Sequence, residues 1–102
     1  MIYLICYDIQ LDRVRTKVAK TLLAAGGVRL QYSVFALRKN KVGIQQLRQA
    51  LQQQLFRKNK HAKTDKILCL KIHRQAFDQA WAIGAPFLPQ LISADSTAII
   101  FI

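Results

Sequence analysis

All five acidic residues of this 102-residue chain are Asp, and one of them occupies an awkward place. Asp8 closes an apolar run, Ile2 to Ile9, where a carboxylate is unfavourable unless it is paired, hydrogen-bonded or bound to a cation. One reading makes it a magnesium ligand. A single carboxylate per chain is a thin coordination shell, so substrate phosphates, water or the Asp8 of a two-fold-related subunit must complete it. An ion held there would polarise a phosphodiester and activate water, with Asp8 serving both as catalytic and as metal residue. The second reading gives Asp8 a common Asp task, accepting backbone N–H groups in the loop ahead of a helix. The residues by themselves leave both readings open.

Arg15, Lys17 and Arg29 are placed to gather around phosphates near Asp8, arginine being preferred where contacts are bidentate. At helical spacing Arg13, Lys17 and Lys20 share an outward face, while Arg15 falls at the edge of the buried stripe and points toward the mouth of the first strand. A second basic segment, Arg57 to Lys66, reads RKNKHAKTDK and contributes Arg57, Lys58, Lys60 and Lys63 to a polar, solvent-exposed loop. Asp12 is a helix cap, and Asp65, Asp78 and Asp95 carry no evident chemistry. His61 and His73 are uncommitted. Tyr3, Tyr7, Tyr32, Phe35 and Trp81 could stack on bases, but apolar surroundings make core packing the better reading for most of them. Cys6 and Cys69 lie inside apolar runs and read as buried, reduced, inert thiols, with no histidine pattern to make a zinc site. No glycine-rich phosphate loop, nucleophile elbow or Ser-His-Asp set is present in the sequence.

The elements that position these residues follow from periodicity. Ile2 to Ile9 is a central strand, continuously apolar and therefore covered on both faces. Val14, Val18, Leu22 and Ala25 recur at helical spacing, predicting a helix from Asp12 to Ala25 that stops at Gly26-Gly27. Val28 to Leu37 alternates like a strand and accommodates a hairpin, though no Gly or Pro marks the turn. Ile44, Leu47, Leu51 and Leu55 define a second helix with a Gln-rich outer face, and Ile67 to Ile72 is another strand. With a hairpin in the middle segment the order is βαββαβ, a ferredoxin-like α+β sandwich with helices on one face of an antiparallel sheet. Beyond it, Gln75 to Ile83 is expected as a short helix with Phe77, Ala80 and Trp81 inward. An irregular stretch with both prolines follows, then an extra C-terminal strand, Thr97 to Ile102, that needs a sheet edge in its own chain or a neighbouring one. The expectation is a single domain over 1–102, with 1–72 as core and 73–102 as extension.

Composition narrows the function. Sixteen Lys and Arg against five acids give a formal charge of +11, dispersed from Arg13 to Arg74 rather than held in a tail. Such self-repulsion in a folded chain is most simply relieved by a polyanion, which points to nucleic acid bound through its phosphates. A membrane surface is a weaker partner, since no segment joins a basic face to a large apolar one. The first residues lack the leading positive charge of a secretory signal and meet Asp8 early, so a cytoplasmic location is expected.

Tyr7-Asp8-Ile9 after an apolar strand, Arg13 and Arg15 opening a helix, and Arg29-Leu30-Gln31-Tyr32-Ser33-Val34-Phe35 after Gly26-Gly27 together resemble the Cas2 family of CRISPR spacer-acquisition proteins. The resemblance spans Met1 to Ile72 and is strongest before Leu37. It implies a ferredoxin-like homodimer that binds an integrase partner protein and holds duplex DNA for insertion into a repeat array. It further implies magnesium-dependent endonuclease activity on RNA or DNA in some members, with Asp8 of both subunits flanking a Mg2+ ion at the dimer interface. Arg15 and Arg29 would then lie near the cleft, with Phe35 supporting it, while Lys17 stands where a second arginine is common. After Ile72 the chain departs from the family by a stretch containing Trp81, Pro86 and Pro89. Two other readings of the same residues are a toxin-type ribonuclease of the virulence-associated D family and a non-catalytic nucleic-acid-binding scaffold.

Overall fold

The structure, a computed structural model, describes residues 1–84 and 100–101. The order is β1 (Ile2–Asp8), α1 (Asp12–Ala24), β2 (Val28–Gln31), β3 (Val34–Arg38), α2 (Lys41–Phe56), β4 (Lys66–Ile72), α3 (Arg74–Asp78), β5 (Trp81–Ala82) and β6 (Ile100–Phe101). The first four strands form one antiparallel sheet in the order β2-β3-β1-β4. The fold is the expected ferredoxin-like α+β sandwich, with β1 central.

Strand alternation divides the sheet into two unlike faces. Tyr3, Ile5 and Tyr7 of β1 point to one side and join Phe35 and Leu37, meeting Val14, Val18 and Leu22 of α1 and Leu47, Leu51 and Leu55 of α2 in the main core. Ile2, Leu4, Cys6 and Asp8 take the other side. There, among the described residues, α3 provides the cover, Phe77 packing with Ile2, Val28 and Ala36. Leu68 and Leu70, directly across from Cys6 and Leu4 in the register, stay 52% and 44% exposed. The continuous apolar character of β1 therefore serves one packed face and one that is largely open.

The middle segment is a hairpin turning at Tyr32-Ser33, with a register shift between Arg29 and Gln31. Neither turn residue has a positive φ, so this turn needs no glycine, and the irregularity next to it accommodates the strand twist. The α1 terminus does need glycine. Gly26 has φ +92°, and the N–H groups of Gly26 and Gly27 donate to the Leu23 and Leu22 carbonyls at 3.0 and 2.8 Å, closing the helix in a Schellman arrangement. At the other end Leu11, not Asp12, is the N-cap residue of α1, and Asp12 sits in the first turn paired with Arg15. Helix α2 is capped by Asn40, whose side chain accepts from the Gly43 N–H at 2.7 Å.

Three further expectations are corrected. The loop before β4 is not wholly exposed, because Asn59 and Asp65 are buried within it. Helix α3 ends at Asp78, so Trp81 lies in β5, 65% exposed, and Ala80 is exposed as well. Cys69 is exposed on edge strand β4 and Cys6 is half-buried, so neither is the sequestered thiol expected from its apolar neighbours. Of the expected terminal strand, Ile100–Phe101 pairs in parallel with Trp81–Ala82. Residues 97–99 and 102, together with Pro86, Pro89 and Asp95, lie outside the described residues. Among the described residues no helix is long and apolar enough to cross a membrane.

Candidate nucleic-acid interface

The end of β1 is where the chemistry-bearing side chains collect, and three connections build it. First, the Tyr7 N–H donates to the Ser33 carbonyl at 3.1 Å, and Tyr7 Oη donates to the Tyr32 carbonyl at 3.3 Å, fixing the β2–β3 turn beside β1. Second, Arg15 Nη1 donates to the carbonyls of Ile9 and Gln10 at 2.7 and 3.2 Å, tying α1 to the loop that precedes it. Third, the Gln10 N–H donates to Asp65 Oδ1 at 3.2 Å, drawing the basic loop to the same end.

That loop is organised from within. Asn59 Nδ2 donates to the Leu55 carbonyl at 2.8 Å and to Asp65 Oδ2 at 2.9 Å, while Asn59 Oδ1 accepts from the His61 N–H at 2.9 Å. Burying a carboxylate and an amide is costly, and here they satisfy each other. Outside the loop, Arg13 Nη2 donates to the Lys58 carbonyl at 2.7 Å, a residue with the left-handed φ of 49°. Arg57, Lys58, Lys60 and Lys63 are exposed on this held scaffold.

Asp8 is exposed rather than buried at the strand end, and among the described residues its carboxylate makes no hydrogen bond or ion pair. Its reading as a loop-organising acceptor of backbone N–H groups is thereby overturned. The carboxylate is free to take a ligand. Lys66 stands directly across from it in the β1–β4 register. Among the described residues there is no group of three or more His, Cys, Asp or Glu that could hold a metal ion, so one copy of the chain presents a single hard oxygen ligand here.

The sequence-predicted cations separate into distinct roles. Arg15 is turned inward as its helical phase required, and its guanidinium is engaged by two carbonyls and by Asp12. Arg29 is exposed and donates only a 3.5 Å bond to Tyr7 Oη, leaving most of its N–H groups unused among the described residues. Its guanidinium carbon lies 5.0 Å from the centre of the Phe35 ring and 5.7 Å from that of Tyr32. Lys17 and Lys20 are exposed on the outer face of α1. By strand alternation Arg29, across from Phe35, belongs to the helix-side face, whereas Asp8 belongs to the open face.

Three contributors were not legible as site residues. Lys66 was read as the end of a loop, and only the register sets it opposite Asp8. Asn59 and Asp65 look like solvated loop residues, though an Asn after a helix and an Asp before a strand are apt to organise the chain between them. A groove of about 730 Å³ between α2 and β4, lined by Ile44, Leu51, Ile67 and Cys69, contains none of the expected site residues.

Comparison with known proteins identifies the family and the fold. The family model described as CRISPR-associated protein Cas2 matches residues 1–80. A protein of Pyrobaculum aerophilum named CRISPR-associated endoribonuclease Cas2 2 is 42% identical over 86 residues, spanning 84% of this chain and 89% of that protein. Among solved structures, Cas2 of Streptococcus pyogenes superposes with a TM-score of 0.68 at 21% identity, covering 82% of this chain and all of that one. A hypothetical protein from Thermus thermophilus superposes with a TM-score of 0.60 at 26% identity, covering 71% of this chain and 80% of that one.

Proposed function

The chain belongs to the Cas2 family of CRISPR-associated proteins, and from that premise we propose that it binds nucleic acid as a homodimer and cleaves phosphodiester bonds with a magnesium ion held by Asp8 of both subunits. The observation that carries this reading is the Asp8 carboxylate, unpartnered among the described residues, at a strand end beside basic elements. A divalent cation held by it would face the phosphates that Arg29, Lys58 and Lys60 attract, and those phosphates would offset the added positive charge. The endoribonuclease name of the Pyrobaculum relative supports the nuclease reading. Family membership sets aside the toxin-type alternative.

Dimerisation rests on the open face. Leu68 and Leu70 are exposed beside half-buried Leu4, Cys6 and Val34, an apolar surface suited to a second copy of itself. Asp8 is on that same face by alternation, so a two-fold axis through it supplies the second carboxylate that one chain lacks. When bound, Mg2+ would polarise the phosphate and lower the pKa of a water molecule. The chain's own side chains do the rest: Asp8 provides oxygen ligands, and Arg29 with the 57–66 loop positions the strand. In the CRISPR setting the same basic surface would hold duplex DNA beside an integrase partner protein.

The test is cleavage of labelled RNA and DNA by the parent, Asp8→Ala and Asp8→Asn at rising Mg2+ and with chelator. Both variants should lose activity by on the order of 100-fold or more while binding persists. Equal residual activity in all three proteins would overturn the catalytic reading and leave the scaffold. Binding should ignore sequence and weaken steeply with salt; salt-indifferent affinity would overturn the phosphate reading.

A further inference from the structure

Tyr32 is out of place for a core aromatic. It stands at the tip of the β2–β3 turn with 68% of its surface exposed, unlike buried Tyr3, Tyr7 and Phe35. Yet it is held on several sides. The Arg15 and Arg29 guanidinium carbons lie 5.9 and 5.7 Å from its ring centre, within the range of cation–π attraction. Its own carbonyl accepts from Tyr7 Oη, so the backbone beneath the ring is tied to the core. An exposed aromatic costs little to keep, but one whose ring has two cations beside it, on a backbone tied to Tyr7, is already partly ordered. A planar ligand docking on it therefore forfeits little side-chain entropy.

We propose that Tyr32 is a stacking platform for an unpaired base, and that Arg29 contacts the phosphate next to it. This rests on the nucleic-acid reading above and adds a substrate feature to it: the protein favours a strand with an unpaired end over a continuous duplex. The chemistry is specific to single-stranded segments. A base inside a duplex has both faces occupied by its neighbours, whereas an overhanging base offers a free face to a tyrosine ring. Arg29 suits the partner role because its only hydrogen bond among the described residues is the long one to Tyr7 Oη. Arg15, with its N–H groups committed to Ile9, Gln10 and Asp12, braces the ring. Stacking is indifferent to the sugar, so ribose and deoxyribose ends both qualify.

The experiment measures binding of a short blunt duplex, the same duplex with a single-stranded overhang, and that overhang made abasic, in DNA and RNA forms. The proteins compared are the parent, Tyr32→Ala and Tyr32→Phe. The parent should bind the overhang more tightly than the blunt or abasic forms. Tyr32→Ala should weaken overhang binding roughly 5- to 150-fold, the range that base–aromatic stacking carries, and weaken blunt binding far less. Tyr32→Phe should retain the preference. A 2-aminopurine in the overhang should be quenched by the parent and not by Tyr32→Ala. Equal losses on blunt and overhanging duplexes, or no loss at all, would overturn the platform while leaving phosphate binding intact. Failure of the parent to bind any of the three would instead overturn the nucleic-acid reading itself.

Discussion

Replacing Asn59 by Ala should loosen the basic loop and destabilise the whole domain. The side chain makes three hydrogen bonds: to the Leu55 carbonyl at 2.8 Å, to Asp65 Oδ2 at 2.9 Å and from the His61 N–H at 2.9 Å. Each bond to a neutral group contributes about 1 kcal/mol net, and the one to the carboxylate about 1.5–3 kcal/mol. Asp65 is buried and keeps only the Gln10 N–H after the change, so water does not replace the lost donor at once. The His61 N–H is nearer solvent and recovers part of its loss, whereas the Leu55 carbonyl belongs to a residue as buried as Asp65. The expected cost is therefore about 2–4 kcal/mol, a sizeable share of the roughly 5–15 kcal/mol that holds such a domain together. Urea unfolding followed by circular dichroism measures it. Asn59→Asp keeps the acceptor for His61 but sets two carboxylates against each other, so it should cost at least as much. Nucleic-acid affinity should fall in parallel, with a shallower dependence on salt as Arg57, Lys58, Lys60 and Lys63 lose their common scaffold. A loss below about 1 kcal/mol for Asn59→Ala, at unchanged dependence on urea, would refute the view that this buried pair organises the loop.

Three further outcomes follow from particular contacts. Gly27→Ala should destabilise by about 1–3 kcal/mol in thermal or urea unfolding, because a Cβ there meets the Leu22 carbonyl oxygen at 2.7 Å; a neutral result would show that the end of α1 yields easily. Leu70→Asp should keep the fold, since the side chain is 44% exposed, and should give a monomer by sedimentation equilibrium, where the parent is expected to give a dimer; a dimeric variant would move the interface off the open face. The Cys69 thiol, though exposed at one side of β4, is raised above the usual value of 9.0, first by partial desolvation against the groove and then by the nearby Cys6. Its folded form holds the proton more tightly than the unfolded chain does, so its contribution to stability is complete below about pH 9 and is lost as pH rises through the raised value. Urea midpoints should accordingly fall above about pH 9 in the parent and fall less in Cys69→Ser, and identical slopes would contradict the assignment.

What the sequence discloses and what it hides divide along physical lines. The core of β1 and the helical spacing of Leu47, Leu51 and Leu55 are local patterns, and burial follows them directly. Arg15 is legible for the same reason, since its phase alone turns it toward Ile9 and Gln10. Asn59 and Asp65 are not, because in RKNKHAKTDK they are indistinguishable from their solvated neighbours until the loop closes on Gln10. Tyr32 is obscured by the absence of Gly or Pro at the turn, which makes it look like one more residue of a longer strand. Trp81 is misplaced because a helix ending at Asp78 removes the periodic face that would have buried it.

The two faces of the sheet decide how binding and cleavage depend on assembly. Arg29 takes the helix-side face with Phe35, and Asp8 takes the open face with Leu4 and Cys6, so one strand end presents cations on one side and a carboxylate on the other. Phosphate contacts through Arg29 and the loop need only one copy of the chain. A metal ion needs more oxygen than a single Asp8 supplies, and the free apolar surface around that carboxylate is the part of the molecule a second copy would cover. On the proposed reading the phosphate-contacting residues are complete in each folded chain, whereas catalysis belongs to the pair. A protein that keeps the first and loses the second when its open face is disrupted has the division of labour that the alternation of β1 imposes.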